Sequence, residues 1–160
     1  YLAGTMHAPG SDFEALHEIK KHVYAKGNGA GEEARVGEVL YNRGMLEAIF
    51  TAEAIRNAVK IHGTKDIRGE QMRDGFEAID LKEEDFDRLG LKNFMKPIKI
   101  TCENHEGDGP IAIQQWDAAA GKWKIVSEWI EPMHDVVRAL VKEDAAAYAA
   151  ENNITPRSCS

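Results

Sequence analysis

A long amphipathic segment in the first half of the chain constrains the fold more than any other feature. Its apolar residues recur every three or four positions, as one face of a helix requires, and they are Met45, Ile49, Ala52, Ile55 and Val59. Gly63 follows the last of them and supplies a C-terminal stop. The spacing predicts a helix over about 41–62, which must bury this stripe against neighbouring elements.

Helices and short strands are predicted to alternate around that segment. A capping box of Ser11 and Glu14 starts a helix that reaches Lys26. Two shorter helices are predicted at about 69–79 and 80–90, and strands are predicted ahead of helices at 1–5 and 36–40. Because a strand followed by a helix is typical of parallel sheets, we interpret the first half as βα units of a parallel sheet.

The period of the pattern changes near residue 98, where apolar and polar residues begin to alternate. Three strands are predicted, at 98–100, 111–116 and 123–129, and the last two form a hairpin. Pro132 opens a final helix, which is followed by a tail after Asn153. The predicted fold class is therefore α/β, with βα units of a parallel sheet plus a C-terminal β-hairpin and helix.

The net charge and the N-terminal residues limit which classes of protein this chain can belong to. The 160 residues include 27 acids and 20 Lys or Arg, which gives a net charge of −7. An acidic chain is repelled by a phosphate backbone, so no nucleic-acid partner is expected. No apolar run approaches the roughly 20 residues that span a bilayer. The chain begins at Tyr1 without an initiator Met or signal peptide, so we expect further residues upstream.

Motifs for catalysis or metal binding are not recognised in the sequence. His17 and His22 are five residues apart, which places them too far round a helix to share a metal ion. The acidic turn 103–109 has Gln114 where an EF-hand requires a bidentate Glu. The glycine-rich segment 27–31 follows a helix, whereas a dinucleotide-binding loop follows a strand. We therefore expect no enzyme activity, no cofactor and no metal.

The two cysteines leave two alternatives open. In a reducing compartment Cys102 and Cys159 are both thiols. In an oxidising compartment they could form a disulfide that ties the tail to the strand region near Cys102. Neither cysteine belongs to a C-x-x-C motif, and the sequence alone does not choose between the two states.

Several segments, taken in order, resemble one family. They read YLAGTMHAPGSDFEALHEIKKHVYAKG, VGEVLYNRGMLEAIFTAEAIRNAVKIHG, GEQMRDGFEAIDL and KPIKITCENHEGDGPIAIQQWDAAAGKWKIVSEWI, followed by the ending NNITPRSCS. Together they resemble the periplasmic solute-binding proteins of ABC importers, in the branched-chain amino acid (leucine/isoleucine/valine-binding) branch. The resemblance covers essentially the whole chain and about the last two-fifths of a family member.

This resemblance implies a partial type I fold, in which two α/β lobes close on a ligand. Residues from about 6 to 96 would form mainly one lobe, 97–130 the closing strands near the hinge, and 131–160 the terminal helix and tail. The implied function is capture of a small amino acid, amide or aromatic acid by lobe closure, followed by delivery to the membrane permease of an ABC transporter. The implied location is the periplasm, and the missing N-terminal part of the same chain would be a further partner.

The resemblance also implies where such a ligand would be contacted. In open α/β sheets ligands lie outside the carboxyl ends of the strands, and the segment able to reach that position is the junction at 36–41. We expect Glu38 and Tyr41 to contact the ligand, with His7 behind them. The alternative for Tyr41 is a core aromatic residue at the start of a helix.

Three other functions remain open at this stage. The chain could be the extracellular ligand-sensing domain of a receptor, because the same fold serves both purposes. It could be an α/β enzyme domain, which would show a strongly perturbed titratable group in a pocket. It could also be an inactive proteolytic fragment of the binding protein.

Overall fold

Five α-helices are present in the computed structural model, which describes residues 1–107 and 109–159. They are α1 (Glu14–His22), α2 (Val39–His62), α3 (Gly69–Glu77), α4 (Glu83–Arg88) and α5 (His134–Glu151). Two 3-10 turns, Tyr24–Lys26 and Glu33–Arg35, lie between α1 and α2. The turn expected around 104–109 and the tail ending at Ser160 are described only in part, because Asp108 and Ser160 lie outside the described residues.

Short strands form two small antiparallel sheets in the described part of the chain. The strands are β1 (Leu2–Gly4), β2 (Asp80–Leu81), β3 (Ile98–Lys99), β4 (Ala112–Asp117) and β5 (Lys122–Ile125). One sheet has the order β1-β4-β5, with Leu2 opposite Gln114 and Trp116 opposite Trp123, and the other pairs β2 with β3. The predicted parallel sheet is therefore wrong, and the chain is a mixed α/β fold with small antiparallel sheets.

The sheet prediction failed at the strand expected before the long helix. Val36 ends a 3-10 turn, and Gly37 follows it with a φ of 95°. That left-handed conformation is open to glycine and turns the backbone instead of extending it. Since α2 begins at Val39, no length of extended chain is left there to join a sheet. The N-terminal strand β1 pairs instead with β4, far away in sequence.

The start of α1 also differs from the predicted capping box. The helix begins at Glu14 with Phe13 as its N-cap, and that end carries no side-chain cap. The Ser11 hydroxyl is instead hydrogen-bonded to the His7 ring, with Oγ and Nδ1 2.7 Å apart. The helix is present because its apolar face packs on the core, while the predicted role of Ser11 is wrong.

The hydrophobic core lies where the helices meet the loop after α4. Its largest fully buried side chains are Phe86, Phe94, Ile79 and Leu91. Phe13 contacts Phe94 edge to face, with ring centroids 5.2 Å apart. The His7 backbone N–H donates a hydrogen bond to the Phe94 carbonyl oxygen at 2.6 Å. The core therefore holds the N-terminal loop, including His7, against the loop after α4.

A close approach of backbones fixes α3 against α2. Ala54 and Ala58 of α2 are fully buried at the contact, and Gly75 of α3 lies directly over them. A Cβ atom added at Gly75 would lie 2.1 Å from the Ala54 carbonyl oxygen. Asn57 supports the contact from the side, because its amide donates hydrogen bonds to the carbonyl oxygens of Gly75 and Ala78 at 3.3 and 3.0 Å. A side chain at position 75 would force the two helices apart.

We expect Gly75→Ala to lower the free energy of unfolding by about 2–3 kcal/mol, because overpacking against backbone outweighs the gain in helix propensity. Gly44→Ala in α2 is the matched control, since a Cβ there meets nothing within 4 Å. The control should raise stability by up to about 1 kcal/mol. Urea denaturation followed by circular dichroism measures both variants, and a neutral Gly75→Ala would show that α3 does not pack on α2 as described.

The last helix presents an apolar face to the outside of the described chain. Its exposed apolar residues, with the residue before it, are Met133, Val136, Val137, Leu140, Val141 and Tyr148. Arg138 on the same helix contacts the side chains of Asn104 and Glu106, which ties α5 to the loop before β4. Within residues 1–107 and 109–159, none of the helices combines the length and apolar character needed to span a membrane.

Candidate functional site

An apolar groove of about 660 Å³ runs along the N-terminal half of α2. Its apolar lining comes from α1, α2 and the region of α4 and consists of Ile19, Leu40, Tyr41, Met45, Ala48, Ile49, Ala52, Leu81 and Leu89, together with Gly44. Charged residues complete the lining. Of these, Arg56 is paired with Glu53 at 3.1 Å, and Arg88 is paired with Asp85 at 3.1 Å. The groove therefore offers mostly hydrocarbon surface, with its charges already paired.

Tyr41 is a half-buried residue of this groove and not a core aromatic closed off from solvent. Burial raises the pKa of its phenol, and the neighbouring Tyr24 adds to the rise. The phenol is therefore neutral near pH 7 and can act as a hydrogen-bond partner. Tyr24 is itself anchored, because its hydroxyl donates to the Ala30 carbonyl oxygen at 3.3 Å.

Glu38 lies at the N-cap position of α2 and is exposed. Its carboxylate forms an ion pair with Arg35, 3.0 Å away, and it makes no side-chain cap to the helix. The next turn of α2 carries the buried Asn42, whose amide donates to the Gly37 carbonyl oxygen at 3.1 Å. Asn42 rather than Glu38 therefore fixes the junction between Gly37 and the helix.

His7 lines a second, more polar pocket of about 410 Å³. This pocket lies between the α4 region and the hairpin, and its lining also includes Glu83, Asp87, Lys92, Lys96 and Trp129. The His7 ring packs edge to face on Phe13, with centroids 5.7 Å apart. Burial lowers the pKa of His7, and a hydrogen bond with the Ala8 backbone opposes the shift. His7 is therefore held in its neutral form near pH 7.

The lowered pKa of His7 makes the free energy of unfolding depend on pH. In the unfolded chain the imidazole takes up a proton at a higher pH than it does in the folded chain. The stability contributed by burying the neutral imidazole is therefore fully present above its pKa in the unfolded chain, about 6.5. This stability is lost as the pH falls through the lower pKa of His7 in the folded chain. We expect His7→Gln to lose less stability than the parent between pH 8 and pH 5, as measured by urea denaturation at each pH. Identical pH dependence would show that His7 is not desolvated.

The structure brings only part of the predicted site together. The Gly10 N–H donates to the Gly37 carbonyl oxygen at 3.1 Å, so the loop carrying His7 does lie against the start of α2. Tyr41, however, lines the apolar groove and His7 lines the polar pocket, while Glu38 is paired at the surface. The predicted ligand contacts of these three residues stay predictions.

The pairing of Ser11 with His7 has the form of a nucleophile and its base. In hydrolases of that kind a third group, usually a carboxylate, holds the other nitrogen of the imidazole. Within residues 1–107 and 109–159, no such carboxylate is hydrogen-bonded to the His7 ring. Across the same residues there is also no group of three or more His, Cys, Asp or Glu that could hold a metal ion.

A charged cluster around Glu77 was not predicted from the sequence. This nearly buried carboxylate at the end of α3 contacts the Arg157 guanidinium and the His105 imidazole, the latter at 3.0 Å. Arg73 lies 3.9 Å away on the same helix. Cys102 and Cys159, next to this cluster, form a disulfide whose Cα atoms are 5.5 Å apart. The residues are too distant in sequence for any local pattern to have indicated the cluster.

Comparison with known proteins gives one informative likeness. No protein-family model and no curated protein matches the chain. A solved structure from the Pseudomonas fluorescens group, described as the crystal structure of an ABC transporter permease, is 33% identical and superposes with a TM-score of 0.87. The match covers 99% of this chain and 38% of that one, so the chain spans well under half the length of the solved protein.

This likeness corrects the expected identity and function. The similar protein is described as a permease, so identification of the chain as a branched-chain amino acid solute-binding protein, and the implied substrate-binding role, are contradicted. A receptor sensing domain and an inactive fragment of a binding protein are not supported either. The link to ABC transporters comes from the description of that similar protein. Almost the whole chain is thus similar, in sequence and in fold, to 38% of a protein described as an ABC transporter permease.

Proposed function

We propose that this chain is one part of a longer protein of an ABC transport system, and that it acts there through binding surfaces and not through catalysis. The observation that carries the proposal is the 33% identity and TM-score of 0.87 over 99% of the chain to a protein described as an ABC transporter permease. At that identity over nearly the full chain, the likeness exceeds what a commonly reused fold gives by itself. The transport activity of the whole protein is part of the proposal.

Two uncovered apolar surfaces support a role inside a larger protein. The groove along α2 is lined by Leu40, Met45 and Ile49, and Leu40 is 68% exposed. The outer face of α5 exposes Leu140 and Tyr148 to 57% and 62%. Contiguous apolar patches of this kind mark surfaces that contact other protein. In our proposal the remaining part of the longer protein, corresponding to the unmatched portion of the solved chain, covers both surfaces.

A two-lobed type I arrangement is the architecture that we propose for that longer protein. The helical core and the β1-β4-β5 sheet form two regions of this chain, and the polar pocket containing His7 lies between them. Residues of about 6–96 would then belong mainly to one lobe, and 97–130 to the strands near the junction. The described residues of the segment 131–160 would supply the helix whose apolar face docks on the remainder.

The periplasm is the compartment that we propose for this part of the protein. Stable disulfides form in oxidising compartments and are rare in the cytosol, and Cys102 is bonded to Cys159. Intact cells treated with a membrane-impermeant maleimide, then lysed without reductant, should yield protein that carries no label. The same treatment after exposure to a reductant should add two labels. The reductant must itself be membrane-impermeant, and the absence of label on Cys102 and Cys159 even after its use would contradict the periplasmic location.

Co-purification with an ATP-binding subunit is the experiment that tests the transport role. The full-length protein, tagged and extracted from its native membranes in mild detergent, should co-purify with a subunit that carries the Walker A sequence G-x-x-x-x-G-K-[ST]. Untagged membranes taken through the same column are the control. Recovery of intact tagged protein with no such subunit, in repeated preparations and after chemical crosslinking, would count against the proposal.

A further inference from the structure

The disulfide between Cys102 and Cys159 presents its two sulfur atoms in different environments. Cys159 is exposed in the C-terminal tail, whereas Cys102 is half-buried beside the loop before β4. Thiol–disulfide exchange depends on access to the sulfur that is attacked and on how well the other sulfur leaves as a thiolate. Access alone therefore favours attack at Cys159.

Arg157 distinguishes the two sulfurs electrostatically. Its Nη2 atom lies 2.8 Å from the Sγ atom of Cys102. A guanidinium next to a sulfur stabilises the thiolate form of that cysteine. The same guanidinium contacts Glu77, but the Glu77 carboxylate also contacts the His105 imidazole at 3.0 Å, so Glu77 does not interact with Arg157 alone. Departure of Cys102 as a thiolate is therefore favoured.

We propose that this disulfide is a directed thiol-exchange site, in which an incoming thiolate attacks Cys159 and Cys102 leaves. The attacking thiolate forms a new S–S bond with the Cys159 Sγ atom, the Cys102–Cys159 bond breaks, and its electron pair stays on Cys102 beside Arg157. When the reductant is a protein dithiol of the Cys-x-x-Cys kind, its second thiolate attacks the mixed disulfide. The reductant is then oxidised to its disulfide, and this chain is left with two thiols.

Exchange at this site releases the C-terminal tail. In the oxidised chain the disulfide holds Arg157 against Glu77, at the end of α3. Once the bond is open, the covalent link is lost and the tail keeps noncovalent contacts there, such as the partly exposed ion pair of Arg157 with Glu77, which is a weak interaction. The site thus couples the redox state of the compartment to the position of the tail. This inference goes beyond the proposed transport role and does not depend on it.

The direction of exchange can be measured by mass spectrometry. The oxidised full-length chain is treated briefly with glutathione, free thiols are alkylated at low pH, and the peptides carrying glutathione are quantified. We expect at least about fivefold more glutathione on Cys159 than on Cys102, with Cys102 recovered as the alkylated thiol. The same chain in 8 M urea is the reference, where both sulfurs should react about equally. Equal labelling of the folded chain, or a preference for Cys102, would overturn the proposal.

Variants separate the charge effect from simple exposure. Arg157→Gln should reduce the preference for Cys159 by about three- to tenfold, whereas Arg157→Lys should retain most of it because it keeps a cation at that position. Arg35→Gln, which removes an exposed arginine paired with Glu38, is the matched control and should leave the preference unchanged. An unchanged preference in Arg157→Gln would show that Arg157 does not direct the exchange.

Release of the tail has its own readout. Trypsin should cleave after Arg157 at least about tenfold faster in the reduced chain than in the oxidised chain, because the arginine is no longer held against Glu77. Cleavage after Arg35, which is exposed and pairs with Glu38 rather than with the tail, calibrates the protease activity. Equal cleavage rates after Arg157 in the two redox states would overturn the proposed release.

Discussion

Replacing Phe94 by alanine should lower the free energy of unfolding by about 3–5 kcal/mol. The ring is fully buried at the centre of the core and packs edge to face on Phe13, with centroids 5.2 Å apart. Its removal takes away buried hydrocarbon and leaves a cavity that the surrounding helices can fill only in part. The same loop accepts the backbone hydrogen bond from His7, so the N-terminal segment should loosen as well. Urea denaturation measured by tryptophan fluorescence gives the change.

Tyr148→Ala is the matched control for Phe94→Ala. It also removes an aromatic ring, but from a side chain that is 62% exposed on α5. In the chain by itself it should change the free energy of unfolding by no more than about 0.5 kcal/mol. A loss from Phe94→Ala as small as that of the control would mean that Phe94 is not at the centre of the core.

Removal of the disulfide is the second change with a large expected effect. Cys102 and Cys159 are separated by 57 residues, and chain-entropy arithmetic gives a stabilisation of about 4 kcal/mol for closing a loop of that length. For a domain of this size the loss corresponds to a fall of about 8–16 °C in the melting temperature. We therefore expect the double variant Cys102→Ser with Cys159→Ser to melt well below the oxidised parent, as measured by calorimetry.

Reduction of the parent serves as the control for that double variant. Parent chain in excess reductant should melt within about 2 °C of the double variant, because both lack the same cross-link. The variant itself should not respond to the reductant. A double variant that melts with the oxidised parent would show that the cross-link does not constrain the unfolded chain as expected, or that it does not form.

Helices could be predicted from the sequence because their signals are local. The stripe from Met45 to Val59 lies within α2, and Gly63 closes the helix in the left-handed conformation, as predicted. The strands 98–100 and 111–116 were predicted to within a few residues for the same reason. The hairpin between 111–116 and the strand after it was also predicted, because a hairpin is local, and β4 does pair with β5. The pairing of distant strands was not predicted, because nothing in a strand's own residues names its partner. Nothing near Leu2 indicates that its neighbour in the sheet is Gln114.

The surroundings of the candidate site residues depend on packing that the sequence does not show. His7, Glu38 and Tyr41 were expected to act together, yet the structure gives each a different environment. A capping role explained Ser11 from spacing alone, and the packing of His7 on Phe13 brings the imidazole to the Ser11 hydroxyl instead. Side-chain partners of this kind depend on how the loops pack, which no single-sequence periodicity records.

The side-chain contacts of Glu77 could not be predicted from the sequence either, because their partners are distant along the chain. Arg157 reaches Glu77 across 80 residues, and the contact exists because the disulfide holds the tail in place.

The wrong functional assignment made from the sequence has a different origin. A resemblance in ordered segments does not determine function, because one architecture can serve proteins with different functions. The likeness to a solved protein described as a permease is the observation that contradicts the solute-binding assignment.

Photo-crosslinking in cells is the sharpest test that this chain works as one part of an ABC transport protein. A benzophenone amino acid placed at Leu140, which is 57% exposed on the outer face of α5, should crosslink to the remainder of the same polypeptide or to another subunit of the transporter. The same probe at the exposed Lys26 should give a far lower yield of these products. Adducts only to unrelated soluble proteins, or equal yields at the two positions, would show that the apolar face has no partner within a transporter.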